Sequence, residues 1–265
     1  MVQLVITDLD GTLLNDQGII TQANIEAIRL LKQKNIHFGI ASGRAKTVIQ
    51  RIAKEYSIYD YIDFIISYNG VGLYEKDIDE DYNGKLLDKN IIKEIYTKLK
   101  DMDVSFVVHM GDTMMCTKVT EYTEEERIIN KYKQVVVEDF YSIIDKDYPK
   151  LMIIGDSDVL DEAIAVLNQY NNDDFNYFKT YKTFLEVISK DLSKGSMLKV
   201  LCDMKNIDIK KVVSVGDNHN DLDMIKVSGY GVAMSNAVDE LKDIAQLVVG
   251  SNNEDGFAQA VKHYI

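Results

Sequence analysis

Two aspartates one residue apart, Asp8 and Asp10, followed at once by Gly11 and Thr12, are the sharpest chemical feature of the chain. They come directly after a β-branched run, Val2–Thr7, that reads as a buried strand. Four specified residues at average usage recur by chance on the order of once in 10⁵ positions. Placement adds weight, because in a parallel α/β sheet ligands bind beyond the carboxyl ends of the strands. Two carboxylates leaving a strand end one residue apart point differently and can take different tasks. One can be a nucleophile or metal ligand while the other moves protons. Gly11 lets the chain turn closely around a bound anion. The plainer alternative is an acidic turn after a strand.

Three further groups fit the same chemistry. Gly216-Asp217-Asn218-His219-Asn220-Asp221 follows the apolar run Lys211–Val215. Asp217 and Asp221 are hard oxygen donors of the kind Mg²⁺ takes together with waters and a substrate phosphate. Asn220 offers amide donors to an anion, whereas His219, with no His or Cys beside it, reads as a solvated or packed side chain. A surface turn is the alternative for the whole segment. Ser42-Gly43-Arg44 follows a second apolar run, where a hydroxyl and backbone N–H groups could hold a phosphate oxygen at a helix N-terminus; the alternative is a helix cap. Lys194-Gly195 precedes a helix predicted over Ser196–Met204, and a lysine there could neutralise phosphate as a point cation. It could equally be one more surface lysine.

The elements that must position these residues are legible in outline. Ile36–Ala41, Ile62–Ser67 and Val212–Val215 also read as buried strands. Ile25, Ala27, Ile28, Leu30 and Leu31 mark an amphipathic helix with Thr21 as its N-cap. Strand–helix–strand alternation predicts an α/β fold, a Rossmann-like core with a parallel sheet covered by helices. The middle of the chain differs. Val104–His109 and Thr113–Val119 flank Met110-Gly111-Asp112 as a hairpin. Strands at Lys150–Gly155 and Phe184–Ile188 alternate with helices near Glu124–Lys133 and Asp158–Tyr170. This predicts a second α/β unit on an antiparallel sheet, inserted as residues 83–187 between core pieces 1–82 and 188–265. The charged stretch Glu75–Lys89 would lead in and Ile188–Ser193 would lead out. Within it, Asp79-x-Asp81-x-Asn83-Gly84 copies the start of an EF-hand loop, but Asn90 stands where the bidentate Glu belongs, so a charged turn is expected.

Composition narrows the classes. With 30 Lys+Arg against 43 Asp+Glu in 265 residues, the formal net charge is −13. No basic stripe relieves it, so nucleic acid is not expected as a partner. Cys116 and Cys202 stand far apart with no C-x-x-C, which predicts neither a disulfide scaffold nor a zinc site. Met1–Asp8 lacks the basic region of a signal peptide, and no uncharged apolar run reaches membrane-spanning length. A cytoplasmic protein with no membrane partner is expected, and no motif speaks to its oligomeric state.

Taken in order, Asp8-x-Asp10-Gly-Thr, Ser42-Gly-Arg, Lys194-Gly and Gly-Asp217-x-x-Asn220-Asp221-x-x-Met224 resemble the haloacid dehalogenase-like phosphohydrolases. More narrowly they look like the Cof-type, sugar-phosphatase-like branch, whose α/β cap is inserted after the third core strand. Asn69-Gly70 fits that branch, as does the tail from Ala233-Met234-Ser235-Asn236-Ala237 to Asp255-Gly256, although Ser235 stands where many relatives carry Gly. The resemblance spans residues 4–257, the insert matching in position and size more than in motif.

The resemblance implies a Mg²⁺-dependent phosphatase acting on a small phosphorylated metabolite, a sugar phosphate or phosphorylated cofactor, with the insert as a cap that sets specificity. It implies that Asp8 attacks phosphorus and carries a phosphoryl-aspartate. Asp10 would protonate the leaving oxygen and then deprotonate water. Leu9, Ser42, Gly43, Arg44, Lys194 and Asn220 would meet the substrate. Mg²⁺ would sit on Asp8, the Asp10 backbone carbonyl and Asp217, with Asp221 in support. Elementary electrostatics agrees, since carboxylate and phosphate repel until cations neutralise them. Two alternatives stay open: a phosphomutase using the same intermediate, and a non-enzymatic phospho-acceptor. Asp10 and the large insert argue against the second.

Overall fold

The computed structural model describes residues 1–169 and 174–265. They divide into two compact units, Met1–Gly84 with Leu192–Ile265, and Lys85–Asp191. The divisions fall two and four residues beyond those expected from sequence, 82/83 and 187/188. At the second, the strand Phe184–Ser189 pairs with Phe175–Tyr181 as far as Ser189, which carries the unit past residue 187.

The first unit is built on an eight-stranded sheet. In spatial order its strands are Leu247–Val249, Tyr230–Met234, Val212–Gly216, Leu4–Thr7, His37–Ala41, Phe64–Ser67, Gly72–Glu75 and Glu80–Asn83. The first six run parallel, Gly72–Glu75 pairs antiparallel with Phe64–Ser67, and Glu80–Asn83 pairs antiparallel with Gly72–Glu75. Every residue of Leu4–Thr7 and Val212–Gly216 is buried, as a parallel sheet covered on both faces requires. Alternate side chains go to opposite clusters. Val5, Phe38 and Val213 pack with Ile28, Leu31 and Phe257 of the helices Gln22–Gln33 and Gly256–Tyr264. Leu4, Ile6 and Val212 pack with Met197, Leu198 and Leu201 of the helix Lys194–Lys205, and with Met224. Thr21 caps the first helix, its side chain accepting from Asn24 N–H as predicted.

Strand order decides what the sheet can present. Leu4–Thr7 lies between Val212–Gly216 and His37–Ala41, with Thr7 in register with both Val215 and Ile40. The segments starting at residues 8, 42 and 217 therefore leave adjacent strand ends.

The second unit carries a six-stranded sheet in the order Phe175–Tyr181, Phe184–Ser189, Leu151–Gly155, Val104–Met110, Thr113–Cys116, Lys133–Val136. All its pairs are antiparallel except the last. Phe106, Val108, Leu151, Ile153, Leu185 and Val187 pack against Ile92 and Ile95 of the helix Lys89–Leu99 and against Leu160 and Ala163 of the helix Ser157–Gln169.

Local differences from the sequence reading have local causes. The helix expected near Glu124–Lys133 runs Glu121–Asn130, because Thr120 forms a capping box with Thr123 and Lys131 turns left-handed at φ 50°. Lys133 instead opens a strand. The helix expected over Asp158–Tyr170 is Ser157–Gln169; Tyr170 lies outside the described residues. Part of the charged stretch Glu75–Lys89 is the exposed strand Glu80–Asn83, paired with Gly72–Glu75. Its acids face protein partners: Lys46 Nζ donates to Asp81, and Tyr74 Oη to Asp79. Among the described residues no helix is long and apolar enough to cross a membrane.

Candidate active site

Asp8 follows the central strand Leu4–Thr7, its backbone N–H donating to Val215 O at 2.9 Å. Its carboxylate accepts from Lys194 Nζ at 2.5 Å, and the same ammonium donates to Asp221 Oδ1 at 2.7 Å. Lys194 and Asp221 are fully buried and Asp8 is nearly so. The other oxygen of Asp221, Oδ2, accepts from the backbone N–H groups of Asp217 and Asn218 at 3.0 and 3.1 Å, so Asp221 shapes the loop that carries Asp217. Thr12 Oγ1 donates to Asp217 Oδ1 at 2.7 Å. The turn beside it needs glycine: Gly11 has φ +77°, and a Cβ there would lie 2.5 Å from Asp217 Oδ2.

Asp8, Asp217 and Asp221 each offer an oxygen within 4.8 Å of the others. Burial, reinforced by the neighbouring acids Asp221, Asp217 and Asp10 and opposed by Lys194, raises the Asp8 carboxyl well above its ordinary range. Burial and Asp221 likewise push Asp217 to about 7, although the Thr12 hydrogen bond opposes them. Burial works against the charge of Lys194, but Asp221 and Asp8 outweigh it and hold the ammonium above its ordinary value of 10.5. With all three carboxylates ionised, one ammonium leaves two negative charges, which one divalent cation would balance. Hard oxygens with no sulfur or imidazole in the cluster suit Mg²⁺.

Asp10 lies apart from that cluster. Arg44 grips its carboxylate through two bonds, Nε to Oδ2 at 2.8 Å and Nη2 to Oδ1 at 2.6 Å. The Asp10 side chain is thus turned to a guanidinium. Ser42 is buried, and its hydroxyl accepts from Arg44 N–H at 3.2 Å. It does not cap the following helix, which runs Lys46–Glu55 with Ala45 at the N-cap. Gly43 abuts Asn69, whose Nδ2 would lie 2.9 Å from a Cβ at residue 43. Asn69 Oδ1 accepts from Asn220 Nδ2 at 3.0 Å, so Asn220 is drawn beside the Ser42-Gly43 turn. The Leu9 side chain goes into the apolar core, and its carbonyl accepts from Leu14 N–H at 2.8 Å. Lys194 and Gly195 form the first turn of their helix rather than preceding it, because Ser193 caps it in a capping box with Ser196. His219 is exposed.

Two residues of the site carried no assigned role in the sequence reading. Thr12 sat inside the first motif, but its partner is 205 residues away. Asn69 was noted beside Gly70 only as a family feature; its left-handed backbone, φ 56°, is common for Asn in a turn, and its partner Asn220 lies 151 residues away.

A strand end followed by two aspartates, a buried lysine and an acidic loop, on a parallel sheet with a second antiparallel-rich sheet, define a haloacid dehalogenase-like hydrolase. The sequence profile described as haloacid dehalogenase-like hydrolase matches residues 5–261, and the chain belongs to that family. Among its relatives is a Streptococcus pyogenes serotype M6 protein provisionally named a phosphatase, 29% identical over 100% of this chain and 98% of its own. Another is the 5-amino-6-(5-phospho-D-ribitylamino)uracil phosphatase YcsE of Bacillus subtilis, 26% identical over 100% and 96%. The crystal structure of a haloacid dehalogenase-like hydrolase from Bacteroides thetaiotaomicron superposes with a TM-score of 0.89 at 28% identity, covering 100% of both chains. The chain is a phosphatase of this family.

Proposed function

We propose that the protein is a Mg²⁺-dependent phosphatase of small phosphorylated metabolites that works through a phosphoryl-aspartate on Asp8. The observation that carries this reading is the different setting of two aspartates separated by one residue. Asp8 is buried against Lys194, within the three-carboxylate cluster, while Asp10 is half-buried and fixed by Arg44. An Asp8 oxygen attacks phosphorus as the bond to the leaving oxygen breaks, and Asp10 gives that oxygen a proton. Asp10 then takes a proton from water as the water oxygen attacks phosphorus, releasing phosphate and restoring the Asp8 carboxylate. Each Asp10 oxygen keeps a lone pair beyond its Arg44 bond. Lys194 and Asn220 would hold the transferring group with Ser42. Asp8, the Asp10 carbonyl and Asp217, supported by Asp221, would hold Mg²⁺, which when bound supplies charge neutralisation and orientation.

The leaving group we propose is that of a sugar phosphate or phosphorylated cofactor, with the second unit setting specificity. The name of the B. subtilis relative, which describes a phosphate ester on a ribityl chain, supports that class. The test is Asp8→Asn beside Asp10→Asn, on an aryl and an alkyl phosphate. Asp8→Asn should form no phosphoryl-enzyme. Asp10→Asn should lose alkyl-phosphate turnover by about 10²–10⁴-fold, and aryl-phosphate cleavage less, since that oxygen leaves unprotonated. With the aryl substrate, acid quench should trap a hydroxylamine-labile acyl phosphate. Equal slowing on both substrates with nothing trapped overturns the role of Asp10, and transfer of phosphate to a hydroxyl instead of water would make the protein a mutase.

A further inference from the structure

The loop that carries both aspartates is held from a part of the chain that no step above uses. Asn236, in the turn after the strand Tyr230–Met234, donates through Nδ2 to the Gly11 carbonyl at 2.9 Å. Its Oδ1 accepts from the backbone N–H of Asn252 at 3.0 Å, so the carboxamide is locked at both ends and a flip would set donor against donor. Asn252 is itself buried, and its Nδ2 donates to Leu14 O at 3.1 Å and to Asp16 Oδ1 at 3.0 Å. The same turn reaches the metal-site loop as well, since Val238 N–H donates to Asp217 O at 2.9 Å.

We propose that Asn236 and Asn252 are positioning residues: a two-carboxamide relay that fixes the path of the Asp10-Gly11-Thr12 backbone relative to Asp217. The inference rests on the reading that Asp8 and Asp217 are the reaction centre. Its physical basis is the freedom of Gly11. Glycine at positive φ is weakly restrained by its own backbone, and at Gly11 a Cβ would meet the Asp217 carboxylate. A small drift at Gly11 would press on Asp217 and pull Thr12 Oγ1 away from it. Asn236 anchors the carbonyl of that one glycine, and its turn simultaneously holds the Asp217 backbone. Asn236 itself is exposed and bonds only backbone groups in these contacts, so its action on the chemistry passes through the loop.

The experiment uses full-length Asn236→Ala and Asn236→Asp, with Gly18→Ala as a loop control. Gly18 has φ +72° in the same loop, but a Cβ there meets nothing within 4 Å. Measured are kcat and KM on an aryl phosphate, the Mg²⁺ midpoint for activation, and the rise in Tm that Mg²⁺ produces without substrate. Asn236→Ala should lower kcat and raise the Mg²⁺ midpoint by about two- to tenfold, the net worth of one hydrogen bond, with KM little changed. Its Mg²⁺-induced rise in Tm should shrink. Asn236→Asp, which sets an acceptor against the Gly11 carbonyl, should be affected at least as much. Gly18→Ala should lower the metal-free Tm and leave the Mg²⁺ midpoint where it was. The relay is overturned if Asn236→Ala lowers only the metal-free Tm, or if Gly18→Ala shifts the Mg²⁺ midpoint equally. A wild type that releases no phosphate sinks the functional reading, while the Mg²⁺-induced shift in Tm still tests the relay. A wild-type Tm that ignores Mg²⁺ overturns both.

Discussion

Replacing Lys194 by Met keeps most of the stem and removes the charge from between two buried carboxylates. The ammonium is fully buried and bonds Asp8 at 2.5 Å and Asp221 at 2.7 Å, so its loss strands acids that water cannot reach. Removing one partner of a buried ion pair typically costs about 3–5 kcal/mol. For a chain of this size that corresponds to a fall in Tm of roughly 6–20 °C. The sign of the pH dependence follows from the acids. Asp8 and Asp217 are raised above their ordinary value of 3.8, Asp217 to about 7. A carboxyl raised in the folded state contributes full stability below its unfolded pKa and loses it as pH rises towards its folded pKa. Without Lys194 both are pushed higher, while wild-type Lys194, held above 10.5, stays charged throughout. The gap between wild type and Lys194→Met should therefore be narrow near about pH 5 and widen towards about pH 8. On the proposed reading, excess Mg²⁺ should bind the folded state and narrow it again at the higher pH. Thermal unfolding in chelator and in Mg²⁺ at both pH values checks this. A metal-free gap below about 1 kcal/mol at the higher pH, or one that widens as pH falls, refutes the reasoning.

Two further perturbations test the frame around the site. Gly11→Ala combines a left-handed backbone, about 1–2 kcal/mol for a non-glycine residue, with a Cβ that displaces Asp217, so turnover and Mg²⁺-induced stabilisation should both fall sharply. Gly18→Ala, with the backbone cost alone, should keep both, and equal losses in the two variants would refute the steric account. Away from the site, His37 sits 3.3 Å from buried Asp63. The Asp63 hydrogen bond raises His37 above its ordinary 6.5 despite burial, and burial of Asp63 is outweighed by His37 and Phe38 N–H, which hold it below 3.8. The His37 contribution is therefore full below about pH 6.5 and lost as pH rises through its raised value, while that of Asp63 is lost as pH falls through its lowered one. Because His37 is half exposed, His37→Gln should cost no more than about 1 kcal/mol near pH 6 and less at pH 8, read by thermal unfolding at both; a pH-independent cost refutes the pairing.

What the chain reveals by itself is whatever depends on neighbours in sequence. The runs around Val5, Ile40, Ile65 and Val213 are apolar at successive positions because both faces of their strands are covered, and that pattern announces the α/β core. Thr21 could be named as a cap because a cap bonds a backbone group three residues on. Strands fail this test where burial does not pattern them. Glu80–Asn83 is a polar, exposed edge strand whose only mark is its pairing with Gly72–Glu75. Lys133–Val136 is likewise mostly exposed, and only the β-branched Val135 and Val136 mark it off from the helix end before it.

The site divides along the same line. Asp8, Asp10, Asp217 and Asp221 are visible because each follows an apolar strand in a loop of unusual composition. Strand order, which no local periodicity encodes, puts residues 8, 42 and 217 at adjacent strand ends. Only the tertiary structure decides that Lys194 lies between Asp8 and Asp221, that Arg44 takes Asp10, and that Thr12 reaches Asp217. Those pairings set which carboxylate is buried, which is raised and which is held by a cation. A residue type supplies the functional group; its charge state and direction come from neighbours tens to hundreds of residues away, and folding is what brings them within 3 Å.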